Sequence, residues 1–136
     1  FRGININDLK VSGKDSQGNF ALFEYIGVEK TGPSFHVHFN QDEHFFVIEG
    51  EYKFRMGDEY FDLKAGDSIF LPRNIPHTWI QKSKKGRLIY MVSPAGSFEE
   101  FFEEVVNLKT PPSKEIIDAL HTKHQMKTGG PPLQLK

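Results

Sequence analysis

Between Phe20 and Val92 the chain is cut into short apolar or alternating runs, each stopped within a few residues by glycine, proline or a charged turn. "FALFEYIGV" leads into the turn "KTGP", and "SFHVHF" follows it. "HFFVIEGEYKFRMGDEYFDL" carries "EG" and "MGDE" as internal breaks, and "AGDSIFLP", "HTWIQ" and "RLIYMVS" complete the series. β-Branched and aromatic residues are frequent in these runs, as suits a pleated, half-buried surface. Strands at this spacing predict an all-β antiparallel sandwich or barrel. There is no internal repeat, and one barrel accounts for all the strands.

The pattern changes at "SPAGSFEEFFEEVVN", where Phe98, Phe101, Phe102, Val105 and Val106 fall on one helical face. Ser97 and Glu100 have capping-box spacing, so the helix is predicted to start there. "TPPSKEIIDALHTKHQM" reads as a second helix, with Ser113 as its N-cap and Ile116, Ile117 and Leu120 turned inward. The tail "KTGGPPLQLK" cannot be helical through its proline pair. Phe1–Gly13 suits either an edge strand or an arm reaching a neighbouring subunit. The 136 residues are predicted to form one domain, 1–136, with a β-barrel core at about 20–93 and helices and tail at about 97–136.

Several function classes drop out. The chain has no cysteine, which removes disulfides, thiolate nucleophiles and thiolate metal sites and fits the cytoplasm. The formal net charge is −1. The densest positive stretch, "KSKK" at Lys82–Lys85, reads as a solvated hairpin loop, so nucleic acid is not expected as a partner. No apolar run reaches membrane-spanning length and the amino end lacks a signal-peptide pattern. The chain opens on Phe1 rather than Met, which leaves a removed leader open.

Chemistry concentrates in "HVHFNQDEHF", His36–Phe45, which holds three of the six histidines. Residues two apart on a strand share a face, so His36 and His38 would both point inward, about 7 Å apart along the chain. Two such imidazoles can grip one metal ion, with a carboxylate from the next strand completing one side. Glu43 and Asp42 are the candidates. Glu43 shares parity with Phe45 and Val47 and would point inward if they do, which would turn His44 to the other face. His77, after "LPRNIP", is the remaining histidine of the β region. Pro72 and Pro76 stiffen its approach. Asp42 reads as a turn residue, and His44 as a residue supporting a ligand from behind or as packing. His121 and His124, at i,i+3 spacing on the second helix and without companion ligands, read as a solvated face. Trp79 shares parity with His77 and suits either a pocket wall or the core.

"GPSFHVHFNQDEHFFVIEG", Gly32–Gly50, resembles the first cupin motif, G-x5-H-x-H-x3,4-E-x6-G, and places His36, His38 and Glu43 on its ligand positions. Gly32 stands two residues closer to the first histidine than the strict pattern. "GDSIFLPRNIPHTW", Gly66–Trp79, resembles the second motif, G-x5-P-x-G-x2-H-x3-N, through Pro72 and His77; Asn74 stands where the motif has glycine, and Ile80 or Gln81 where it has asparagine. The resemblance implies a double-stranded β-helix (jelly-roll barrel) with two C-terminal helices. It also implies one divalent transition metal (Fe, Mn, Ni, Co, Cu or Zn) at His36, His38, Glu43 and His77. "SPAGSFEEFFEEV", a following helix and "GPPL" are similar to small single-domain cupins called quercetin 2,3-dioxygenase-like.

A shell of three imidazoles and one carboxylate suits many divalent metals and leaves room for an exogenous ligand. The resemblance to quercetin 2,3-dioxygenase-like cupins implies dioxygenase cleavage of a small enolic or aromatic, flavonol-like compound. Glu43 would serve as ligand or as acceptor of the substrate proton. The alternatives are a metal-dependent sugar or keto-acid isomerase or epimerase, and a non-catalytic binding role. Inward positions dominated by Phe, Val, Ile, Leu and Met favour an apolar substrate. A homodimer is expected, because single-domain cupins commonly pair and Phe1–Gly13 has no evident partner in the barrel pattern.

Overall fold

The computed structural model describes residues 5–108 and 113–135. The strands are β1 (Ile6–Val11), β2 (Ala21–Gly27), β3 (Phe35–His38), β4 (Asp42–Glu49), β5 (Glu51–Met56), β6 (Glu59–Lys64), β7 (Ser68–Leu71), β8 (His77–Gln81) and β9 (Gly86–Ser93). Two helices follow, α1 (Phe98–Val106) and α2 (Lys114–Lys123), and then a last strand, β10 (Met126–Gly130). One sheet has the order β1-β2-β9-β4-β7 and the other β10-β3-β8-β5-β6. All recorded pairings are antiparallel. The chain folds as a double-stranded β-helix of two facing sheets with two helices, as the motif resemblance implies; the run pattern by itself predicts an antiparallel sandwich or barrel.

Period-two alternation decides which side chains meet between the sheets. On β4, Glu43, Phe45 and Val47 are buried while Phe46 and Ile48 are exposed. On β9, Leu88, Tyr90 and Val92 face the core. They meet Tyr52 and Phe54 of β5, which are fully buried. Phe45 stacks on Tyr90 at 4.7 Å between ring centroids, and Phe23 stacks on the other side of the same ring at 5.1 Å. The stack lies beside the histidines: Phe45 and Tyr90 line the same cavity as His36, His38 and His77.

Two motif glycines have steric reasons. Gly50 joins β4 to β5 at φ +91°, and a Cβ there would stand 2.6 Å from the Lys85 carbonyl oxygen. Gly32 lies so close to β8 that a Cβ would collide with the Trp79 carbonyl oxygen.

Several expectations are corrected. Phe1–Gly13 does have a partner in the chain: β1 pairs with β2 as an edge strand, while residues 1–4 lie outside the described residues. The "KSKK" loop is not a hairpin, because it links β8 of one sheet to β9 of the other. The tail, read only as non-helical, contributes to a strand, β10, which pairs with β3. Ser97 does start α1, but its side chain makes no capping bond and its hydroxyl lies 2.7 Å from His124 Nδ1. Ser113 caps α2 as expected, accepting from the Ile116 N–H at 3.3 Å. On the helix faces, Phe98 and Phe101 are buried, but Val106 and Ile116 are exposed.

Candidate metal centre

Three histidines come from neighbouring strands of one sheet, and the carboxylate comes from the sheet facing them. His36 and His38 project from β3, and His77 of β8 sits directly across from His36. Glu43 stands on the next strand of the chain, β4, as expected; β4 belongs to the other sheet, where its partners are β7 and β9. Its inward parity carries the carboxylate across the gap between sheets. The ring of His36 lies 4.9 Å from that of His38 and 4.7 Å from that of His77, and the His38 and His77 rings are 5.4 Å apart. One ligand atom from each of the four residues lies within 4.8 Å of all the others.

All four residues are buried. Glu43 Oε1 is 2.6 Å from His38 Nε2 and 3.5 Å from His77 Nε2. These approaches lack hydrogen-bond geometry: neither ring nitrogen of His38 or His77, nor Glu43 Oε1, has a hydrogen-bond partner among the described residues. Buried polar atoms left unpaired are costly, and a cation at the point they surround would satisfy them. His36 is already oriented. Its Nδ1 lies 2.6 Å from the Ser34 carbonyl oxygen, which can only accept, so Nδ1 carries the proton and Nε2 keeps its lone pair.

Electrostatics agree with that use. Burial, and then the neighbouring His77 and His38, push the His36 pKa down to about 3, so its imidazole is neutral. Burial pushes Glu43 up, but the charges of His38 and His77 and their close contacts outweigh it and hold the carboxyl well below its usual range. A neutral imidazole and an ionised carboxylate are the states a metal requires. The donor set fits a divalent transition metal, and the cluster could hold one.

The cluster opens on a cavity of about 310 Å³. Its walls are mostly aromatic: Phe45, Trp79 and Tyr90 from the barrel, and Phe98 and Phe101 from α1. Trp79 is therefore both core and wall. Of the apolar residues expected from strand parity, mainly phenylalanines and Met126 reach the cavity, joined by Tyr25, Trp79 and Tyr90, and Asn5, Thr31 and Ser34 add polar groups. Burial raises the Tyr25 hydroxyl to about 12 and Tyr90 well above its ordinary value, so both stay protonated. The Tyr90 hydroxyl donates to Asn7 Oδ1 at 2.7 Å.

The other candidates fall elsewhere. Asp42 points away from the cluster and binds Arg73, accepting from its backbone N–H at 2.8 Å and from its guanidinium at 3.1 Å and 3.2 Å. His44 stacks on Phe46 on the outer face, at 4.4 Å. His121 and His124 are not on a solvated face, since both are buried. His121 lines the cavity, and His124 is held by Ser97 and by Glu104, whose carboxylate accepts from Nε2 at 3.0 Å. Nothing in the i,i+3 spacing told which helix face would be covered.

The cupin domain family matches residues 22–93, which is more than half of the chain. The chain belongs to the cupin family. The match takes in the strands that carry all four residues of the cluster. Among solved structures, this cupin is similar to ectoine synthase from P. lautus, at 20% identity and a TM-score of 0.62 over 84% of this chain and 83% of that one. An RmlC-like cupin from Shewanella frigidimarina aligns at 22% identity and a TM-score of 0.60, over 74% and 84% of the two chains. A predicted oxalate decarboxylase from Thermotoga maritima aligns at 14% identity and a TM-score of 0.62, over 68% and 83%. Identities this low show a shared fold. An uncharacterized protein of Methanocaldococcus jannaschii is 33% identical over 42 residues, 31% of this chain. The matched segment spans about a third (34%) of that relative's length.

Proposed function

We propose that this cupin is a metal-dependent dioxygenase of the quercetin 2,3-dioxygenase-like type, cleaving a small enolic or aromatic compound. The observation that carries the reading is the set of buried, unpaired donors of His38, His77 and Glu43 facing an aromatic-walled cavity. Together with His36 they would hold one divalent transition metal. When bound, the metal supplies a Lewis acid that acidifies an enol or phenol and brings O2 beside it. Glu43 accepts the proton that the substrate hydroxyl gives up, and its ionised state suits it for that role. Phe98, Phe101 and Trp79 hold the body of the substrate and exclude water. In the cleavage of an enediol or catechol one carbon–carbon bond and the O–O bond break and two carbon–oxygen bonds form. With a flavonol a second carbon–carbon bond breaks and the carbon between the two leaves as carbon monoxide. In both cases both atoms of O2 end in the products, so no further reductant is needed.

The polar groups at Asn5, Thr31 and Ser34 favour a second reading, an isomerase or epimerase of a sugar or keto acid. Oxygen-electrode assays separate the two. The protein is loaded in turn with Fe(II), Mn(II), Co(II), Ni(II) and Cu(II) and given flavonols, catechols and enols. Substrate-dependent O2 consumption by at least one metal form is expected. If no form consumes O2 while one isomerises a sugar or keto acid, the second reading replaces the first.

A further inference from the structure

A fourth histidine lines the cavity beside the cluster. The ring of His121, on α2, lies 6.5 Å from the ring of His36. It is not one of the residues whose ligand atoms converge within 4.8 Å, so it stands one layer back from the metal position while facing the same space. Its placement is closely determined. Its Nδ1 is 2.7 Å from Thr128 Oγ1, and Thr128 is the cross-strand partner of His36 in the β10–β3 ladder. Phe101 of α1 packs against the ring at 5.7 Å between centroids. The chain thus leaves α2, turns back, and joins β3 at the position that fixes this imidazole next to the first metal ligand.

The Thr128 hydroxyl can donate to Nδ1, and an imidazole that accepts at Nδ1 carries its proton on Nε2. The hydrogen bond this ring makes among the described residues is at Nδ1. A neutral N–H donor on a wall otherwise built largely of rings can serve a ligand in the cavity. We infer that His121 is a substrate-contacting residue whose Nε2–H donates a hydrogen bond to an ionised oxygen of an enolate or catecholate held at the four-residue cluster. The inference rests on the metal-centre reading above. A bond to an ionised oxygen is about twice as strong as one between neutral groups. It also discriminates, because an analogue lacking that oxygen leaves the donor unpaired. Thr128 is then a positioning residue, acting through the ring.

The test uses the full chain loaded with Fe(II) and oxidised to Fe(III), titrated with catechol and followed by charge-transfer absorption. Metal content is measured separately. In His121→Asn the amide takes the place of Nδ1, so the Thr128 contact is kept while nothing stands at Nε2. In His121→Gln the amide nitrogen falls near Nε2. Unchanged metal content is expected in both. The catechol dissociation constant is expected to rise at least about tenfold in His121→Asn and to stay within about threefold in His121→Gln. The reverse order, with Asn like wild type and Gln weak, overturns the inference and leaves His121 a packing residue. So does equal binding in all forms, or loss of metal from His121→Asn. A wild-type protein that holds metal but shows no charge-transfer band with catechol overturns this inference and leaves the metal centre standing. One that holds no metal overturns both.

Discussion

Asn74 occupies the place where the second cupin motif has glycine, and it adopts φ +69°. That is the left-handed region, where an ordinary side chain crowds its own carbonyl and asparagine is among the few non-glycine residues that persist. Its N–H donates to the His38 carbonyl oxygen at 2.8 Å, tying the loop before β8 to the end of β3. The departure from the motif therefore preserves the backbone shape that brings His77 against His38. Asn74→Val is expected to destabilise the protein by about 1–2 kcal/mol, and Asn74→Gly to change stability by no more than about 1 kcal/mol. Urea denaturation measures both; a Val variant as stable as wild type would contradict the account. His36, His38, Glu43 and His77 were legible in the sequence because strand alternation fixes which side chains face inward. His121 was not legible. Its burial depends on β10 and α1 closing over it, which no local pattern in "ALHTKHQ" records.

At the scale of elements, the strands from β2 to β9 follow from their apolar runs and turn glycines, because each run has one face to bury. β10 escaped notice because "MKTGG" has two glycines and no run of apolar side chains, and prolines follow directly. Backbone pairing with β3 makes it a strand, and its apolar contribution is Met126 alone, which is buried across from His38. The start of α1 was legible, but the use of Ser97 was not: with His124 brought alongside, its hydroxyl pairs with the imidazole instead of with its own helix. The faces of α1 and α2 were only partly legible, since Val106 and Ile116 match the apolar period yet reach past the edge of what the helices cover. Periodicity names a face; the neighbouring elements determine how much of it is covered.

For the whole molecule, one sheet supplies three imidazoles and the other a carboxylate, so the cluster exists only when the two sheets close on each other. The helices then narrow the open end with phenyl rings and His121. No helix among the described residues is long and apolar enough to cross a membrane. The proposed homodimer has lost one argument, because β1 pairs within the chain. Its remaining structural support is the exposed Phe46, Ile48 and Phe70 on the outer side of the first sheet. Light scattering is expected to give twice the 15.6 kDa of the chain; the single-chain mass throughout the micromolar range would contradict it.

His36, His38, Glu43 and His77 are proposed to form one metal site. Metal stoichiometry by mass spectrometry tests it most directly, on the protein and on its His36→Ala/His77→Ala variant after equal loading with a divalent transition metal and removal of free ion. About one ion per chain is expected for the protein, and less than about a tenth of that for the variant, with the fold intact by circular dichroism. Full occupancy of the double variant would contradict the account.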